Sequence, residues 1–200
     1  MDHLFVITYG RSGSTALTNV LNAGDGVCIR GENGGAFLPL SRSVGRILWA
    51  RQEYGRWSDL VHSPWHGIGA VDADEYARGL CAAFSRSVLR PPAGTRIAGF
   101  KEIRYTGRDC SDGEFAFLVD LMLRCFTGAR MIFLTRDSGQ VARSGWWADE
   151  PEADVRALIT NADERFHAAA MRHPDRTFMI DHADFDGRPE GLRPLLDWVG

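Results

Sequence analysis

Phe5-Val-Ile-Thr-Tyr-Gly-Arg-Ser-Gly-Ser-Thr15 is the stretch of sequence that decides the fold. With Leu4 in front, its first half is a short apolar run containing β-branched residues and reads as a buried strand, Leu4 to Thr8. Its second half, Gly10-Arg-Ser-Gly-Ser-Thr15, assembles two glycines, three hydroxyls and one guanidinium. Small residues let a backbone turn sharply and bring its N–H groups close to an anion. Ala16, Leu17, Val20 and Leu21 then follow at helical spacing and predict a helix over Ser14 to Asn22. The free N–H groups and positive dipole end of such a helix face the loop. Strand, loop and helix start in this order predict a phosphate or sulfate cradle. The plainer alternative for the loop alone is a small-residue turn with a Ser or Thr cap.

Outward from this segment, strands and helices alternate. Further strands are predicted at Val27 to Ile29, Arg96 to Lys101, Ala129 to Thr135 and Thr177 to Ile180. Helices are predicted at Leu38 to Tyr54, with Pro39 in its first turn, and at Asp72 to Leu89, stopped by Pro91-Pro92. Others are Asp112 to Phe126, Ser138 to Trp147, Glu152 to Met171 and Gly191 to Val199, while Gly55 to Gly69 reads as an irregular loop. The alternation predicts an α/β fold of three layers, a central parallel sheet flanked by helices, in one domain over residues 1–200.

Composition narrows the function classes. The net charge of −3 gives no reason to expect a nucleic-acid backbone as main partner. No stretch approaches the ~18 apolar residues that a membrane span needs, and no basic leader precedes Leu4. Cys28, Cys81, Cys110 and Cys125 form no Cys-x-x-Cys pair and read as reduced thiols, which predicts a cytoplasmic protein. No His, Cys or Asp spacing suggests a metal site. All but one of the 23 basic residues are arginine, the exception being Lys101. The nucleotide loop of ATPases needs Gly-x4-Gly-Lys-Ser/Thr, and here the sole lysine lies 90 residues beyond Arg11. Kinase-like chemistry would lack its usual phosphate lysine.

Thr8-Tyr-Gly-Arg-Ser-Gly-Ser-Thr15 resembles the 5′-phosphosulfate loop of sulfotransferases that use 3′-phosphoadenosine 5′-phosphosulfate (PAPS). It is most similar to the arginine-bearing variant of carbohydrate, tyrosylprotein and many bacterial members. Ile132-Phe-Leu-Thr-Arg-Asp-Ser-Gly-Gln-Val-Ala-Arg-Ser144 resembles the family's 3′-phosphate motif, a strand-end arginine followed eight residues later by a helical serine, here Arg136 and Ser144. Arg30-Gly-Glu-Asn33 puts Glu32 at the position of the base in tyrosylprotein-type enzymes, 21 residues after Arg11. Gly99-Phe-Lys-Glu102 puts Lys101 where those enzymes direct a lysine at the transferring group.

The resemblance implies a P-loop-type sandwich, PAPS as donor, and a small-molecule or carbohydrate acceptor. It implies cofactor binding by Arg11, Ser12, Gly13, Ser14, Thr15, Arg136 and Ser144, with Glu32, Lys101 and Arg11 catalytic. Plainer roles stay open: Glu32 pairing with Arg30, Lys101 pairing with Glu102 or simply exposed, and Arg136 pairing with Asp137 or another carboxylate. His62 and His66 are rival bases; His182 follows the last strand without an assigned part. Trp49, Trp57 and Trp65 fall where an acceptor pocket would be lined. Trp146 and Trp147, after Ser144, are candidates for packing near the nucleotide or acceptor, but adjacent helical residues cannot both face one ligand and at least one belongs in the core. The chain departs from the family over residues 36–90 and in lacking, after Leu195-Leu-Asp-Trp-Val-Gly200, the segment that commonly closes over the nucleotide. A P-loop phosphotransferase and a non-catalytic nucleotide- or sulfate-binding module are the alternatives.

Overall fold

Along the first strand, Leu4, Phe5, Val6 and Ile7 are all fully buried, so both faces of this strand are covered. That is the expected state of a central strand in a parallel sheet. A computed structural model describes residues 1–200. Its strands are β1 (Asp2–Ile7), β2 (Val27–Arg30), β3 (Ile97–Glu102), β4 (Arg130–Thr135) and β5 (Thr177–Asp181). They lie in the order β2-β3-β1-β4-β5, every neighbouring pair parallel.

The helices are α1 (Ser14–Asn22), α2 (Phe37–Tyr54), α3 (Ala73–Phe84), α4 (Asp112–Cys125), α5 (Ser138–Ala142), α6 (Glu152–Arg172), α7 (His182–Phe185) and α8 (Arg193–Val199). Strand side chains alternate between faces. Leu4 and Val6 therefore meet Leu17 and Leu21 of α1 and Leu195 and Val199 of α8 in the smaller core. Phe5 and Ile7 enter the larger one with Phe37, Phe84, Leu118 and Phe166. Phe5 meets the rings of Phe100 and Phe126 at 4.9 and 5.1 Å between centroids. Truncating such a side chain to alanine costs about 3–5 kcal/mol. The fold is thus α/β, an all-parallel sheet between two helical layers. No helix is long and apolar enough to cross a membrane.

Local chemistry sets the helix ends. Asp72 caps α3 by accepting from the amides of Asp74 and Glu75, and Ser111 with Glu114 forms a reciprocal capping box on α4. Three expectations need correction. The helix expected over Asp72 to Leu89 passes at Ser85 into a π-helical turn and ends at Arg90 in the left-handed region, φ 44°. The helix expected over Gly191 to Val199 starts at Arg193, behind a 3₁₀ turn over Pro189–Leu192. The third bears on the site: α5 stops at Ala142, so Ser144 is not a helical residue two turns in. Ser144 is extended (φ −118°, ψ 126°), Gly145 has φ 59°, and a 3₁₀ turn over Gly145–Asp149 follows. The break is anchored by the Trp147 indole, which is buried and donates to the Gly10 carbonyl at 3.0 Å.

Candidate functional site

β1 feeds α1 on the smaller-core face, whereas its neighbours β3 and β4 lead into the larger-core layer. A crevice opens beyond the strand ends where connections diverge in this way, the place ligands occupy in open parallel sheets. Here it is a cleft of about 370 Å³. The β1 loop contributes Arg11, Gly13, Ser14 and Thr15, while Glu32, Lys101 and Arg136 come from the ends of β2, β3 and β4. Segments scattered over more than a hundred residues of sequence line this one cavity. Ser12 lies beneath the loop and Ser144 beside Arg11, at its edge.

The loop is built to leave donors free. Arg11 and Gly13 both sit in the left-handed region, φ 68° and 88°. For an arginine this is a strained choice, of the kind that clusters at ligand-binding turns. The backbone N–H groups of Arg11 through Thr15 donate to no protein acceptor. Gly13 caps α1 without a side-chain bond, and no acidic residue occupies that helix's first turn. The Ser12 hydroxyl is fully buried and has no partner. An unsatisfied buried hydroxyl costs about 1–3 kcal/mol. Unpaired amides, a positive helix end and an orphaned hydroxyl form a donor set that a phosphate or sulfate group fits.

Gly13 is needed for more than its φ. A Cβ built there would stand 2.2 Å from Cδ2 of His182, whose ring packs against the loop from the start of α7. Gly13→Ala is therefore expected to destabilise the fold by about 1–3 kcal/mol. Urea denaturation checks the size of the loss. Adding His182→Ala should recover the steric part and leave the backbone part.

Arg136 is held from below. The buried Tyr9 hydroxyl donates to the Arg136 carbonyl at 3.0 Å and accepts from the Arg136 amide at 2.7 Å. From the cleft side, Arg136 Nη1 donates to the Arg11 carbonyl at 2.9 Å and Nε donates to Gln140 at 3.2 Å. Asp137 instead caps α5 through the Gln140 amide, so the expected alternative of an Arg136–Asp137 pair is not realised. A guanidinium has five N–H donors, so Arg136 keeps free ones for a ligand. Ser144, although outside the helix, reaches the same region: its hydroxyl accepts from Arg11 Nε at 3.1 Å and retains its own proton to donate. Neither Arg11 nor Arg136 is neutralised by a carboxylate; Arg11 lies 5.8 Å from the Trp146 ring centre.

Asp163 of α6 stands near Tyr9, and its Oδ1 is buried without a hydrogen bond. Burial, assisted by the Asp181 charge and opposed by Tyr9 and His167, pushes this carboxyl up to about 6. A carboxyl raised in this way holds its proton more tightly folded than unfolded. Stability therefore falls as pH rises from about 4 to about 6 and stays lower above that window. Asp163→Asn should flatten this dependence. Allowing for the partial exposure of the group, it should stabilise the protein by about 1–2 kcal/mol near pH 8 and by little near pH 4. Urea midpoints at the two pH values check it.

Glu32 and Lys101 form an ion pair across the cleft wall, the lysine buried and the carboxylate partly exposed. This settles several of the open local pairings. Arg30 does not pair with Glu32; it donates to the carbonyls of Leu89 and Arg90 at 2.8 and 2.9 Å. Lys101 is neither exposed nor bonded to Glu102, whose side chain points to the other face of β3. His62 lines a separate cavity of about 640 Å³ with Tyr54, Trp57 and Trp65, and neither His62, His66, Trp49, Trp57 nor Trp65 lines the cleft. Of the tryptophan pair, Trp147 is core and Trp146 is 52 % exposed over Gly10.

The contact of His182 with the loop joins residues far apart in the chain. Its one signal in the sequence is position, directly after a strand's C-terminal end. Trp146, with Gly10 and Ile103, lines both the cleft and a second cavity of about 210 Å³ beside it. No protein-family model matches this chain, and no curated protein matches it.

Proposed function

We propose that this protein is a PAPS-dependent sulfotransferase acting on a hydroxyl or amine of a small-molecule or carbohydrate acceptor. One observation carries the reading: a carboxylate–ammonium pair, Glu32 with Lys101, faces the same cleft as an unfilled amide cradle and an unneutralised strand-end arginine. The resemblance of the loop, of Arg136 with Ser144, and of Glu32 and Lys101 to the family's motifs points the same way.

On this reading Arg11 and the amides of Ser12 through Thr15 hold the 5′-phosphosulfate, and Arg136 with the Ser144 hydroxyl holds the 3′-phosphate. PAPS, when bound, supplies the sulfuryl group. Charge grows on its leaving oxygen as transfer proceeds, and fixed donors placed there stabilise it without reorganising. Lys101 and Arg11 are those cations. Glu32 takes the proton from the acceptor hydroxyl. The 210 Å³ cavity, walled by Ile103, Arg104, Trp146 and Trp147, adjoins the cleft through Gly10 and is where the body of the acceptor is proposed to lie. All four cysteines are free, which suits the reducing cytoplasm we propose as the compartment.

The test is transfer of label from [³⁵S]PAPS to a panel of phenols, amines and oligosaccharides. A labelled product that disappears with Arg11→Ala supports the reading. Magnesium-dependent turnover of ATP with no consumption of PAPS would replace it with the phosphotransferase reading.

A further inference from the structure

We propose that Glu102 is a positioning residue that holds Glu32 and Lys101 against each other. It ends β3, one residue after Lys101, and its side chain is completely buried on the opposite face of the strand. Its carboxylate meets no cation. Oε1 accepts from the amides of Ile103 and Arg104 at 2.9 and 3.2 Å, and Oε2 accepts from those of Asn33 and Gly35 at 3.1 and 2.8 Å. A buried carboxylate is tolerated when its lone pairs are filled in this way.

The four donors belong to two different loops. The last register pair between β2 and β3 is Arg30 with Phe100. Beyond it, residues 31–36 make no backbone–backbone hydrogen bond to β3 or to the loop after it. The Glu32-bearing loop is tied to the Lys101-bearing strand by two kinds of polar contact alone, the Glu32–Lys101 pair itself and the Glu102 carboxylate. With Gly34 and Gly35 both at positive φ, that loop has little local stiffness of its own. Glu102 therefore fixes where Glu32 stands relative to Lys101.

Neither near substitute reproduces this role. Glutamine would turn an N–H₂ toward two amide donors. Aspartate keeps the charge but is one methylene shorter, so it can serve one loop and not both.

Because Lys101 is the only lysine, protein labelled with lysine carrying ¹³C at Cε gives a single lysine signal. Glu32→Gln defines how far that signal moves when the ion pair is lost. Glu102→Gln and Glu102→Asp are each expected to move it at least about half as far, and adding Glu32→Gln to either should give the position of Glu32→Gln alone, as coupled sites do. Affinity for adenosine 3′,5′-bisphosphate should stay within about threefold in both variants, because the cradle is on another loop. A lysine signal unmoved in both variants overturns the proposal, as does a parallel collapse of bisphosphate affinity.

In the wild-type protein the amides of Asn33, Gly35, Ile103 and Arg104 should be protected from hydrogen exchange. Free exchange at Asn33 and Gly35 overturns the proposal even if the variants do not fold. Only the expected slowing of PAPS turnover in these variants rests on the sulfotransferase reading. If the wild type fails to bind the bisphosphate, that reading falls, and the lysine signal and amide exchange still decide the role of Glu102.

Discussion

Glu32→Gln is expected to lower sulfuryl transfer by about 10²- to 10⁴-fold, the range contributed by a positioned general base. Glutamine has nearly the shape of glutamate and can still accept a hydrogen bond from Lys101, so the cleft wall should stand. It cannot take a proton from the acceptor. Bisphosphate affinity should therefore stay within about threefold while kcat falls, the pattern of an interaction made only in the transition state. Single-turnover measurement with labelled PAPS, beside calorimetric titration of the bisphosphate, separates the two quantities. A variant that retains kcat would remove Glu32 from the role of base. One that loses affinity and rate together would make Glu32 a structural partner of Lys101.

Arg136→Ala should weaken binding of adenosine 3′,5′-bisphosphate by about 100-fold or more, since a desolvated guanidinium–phosphate contact is among the stronger charge-assisted interactions. The same change frees the Arg11 carbonyl, to which Arg136 donates at 2.9 Å, so some loss at the 5′ side is expected as well. The two effects separate by ligand. Binding of 5′-AMP, which lacks the 3′-phosphate, should fall by no more than about tenfold. Arg136→Lys should recover little, because a lysine cannot reproduce the planar fork that holds Gln140 and the Arg11 carbonyl while leaving donors free. Equal losses for both nucleotides would make Arg136 a loop support and not a phosphate ligand.

The parts of the fold legible in the sequence are those written in local period. Helix α1 spans Ser14 to Asn22 as its apolar spacing predicts, and β1 and β4 match runs of buried residues. The stop in α5 is not local: it depends on Gly145 at positive φ and on the Trp147 indole reaching Gly10, 137 positions away. Strand adjacency is hidden for the same reason. Motif position suggested Glu32 and Lys101 separately, but their contact requires β2 to lie beside β3, which strand count alone does not reveal. In the sequence Glu102 is legible only as a possible partner of Lys101, because its donors Asn33 and Gly35 are brought to it only by that adjacency. His182 against Gly13 joins residues from opposite ends of the chain across the sheet's C-terminal edge.

The most direct test of the central claim, that the cleft is built for a 3′-phosphorylated nucleotide, is a calorimetric titration of the wild-type protein with adenosine 3′,5′-bisphosphate and with 5′-AMP. The cradle over Arg11 to Thr15 and the free donors of Arg136 and Ser144 predict one bisphosphate per chain, bound about 100-fold more tightly than 5′-AMP. Equal affinities for the two nucleotides, or no binding of the bisphosphate, would contradict it.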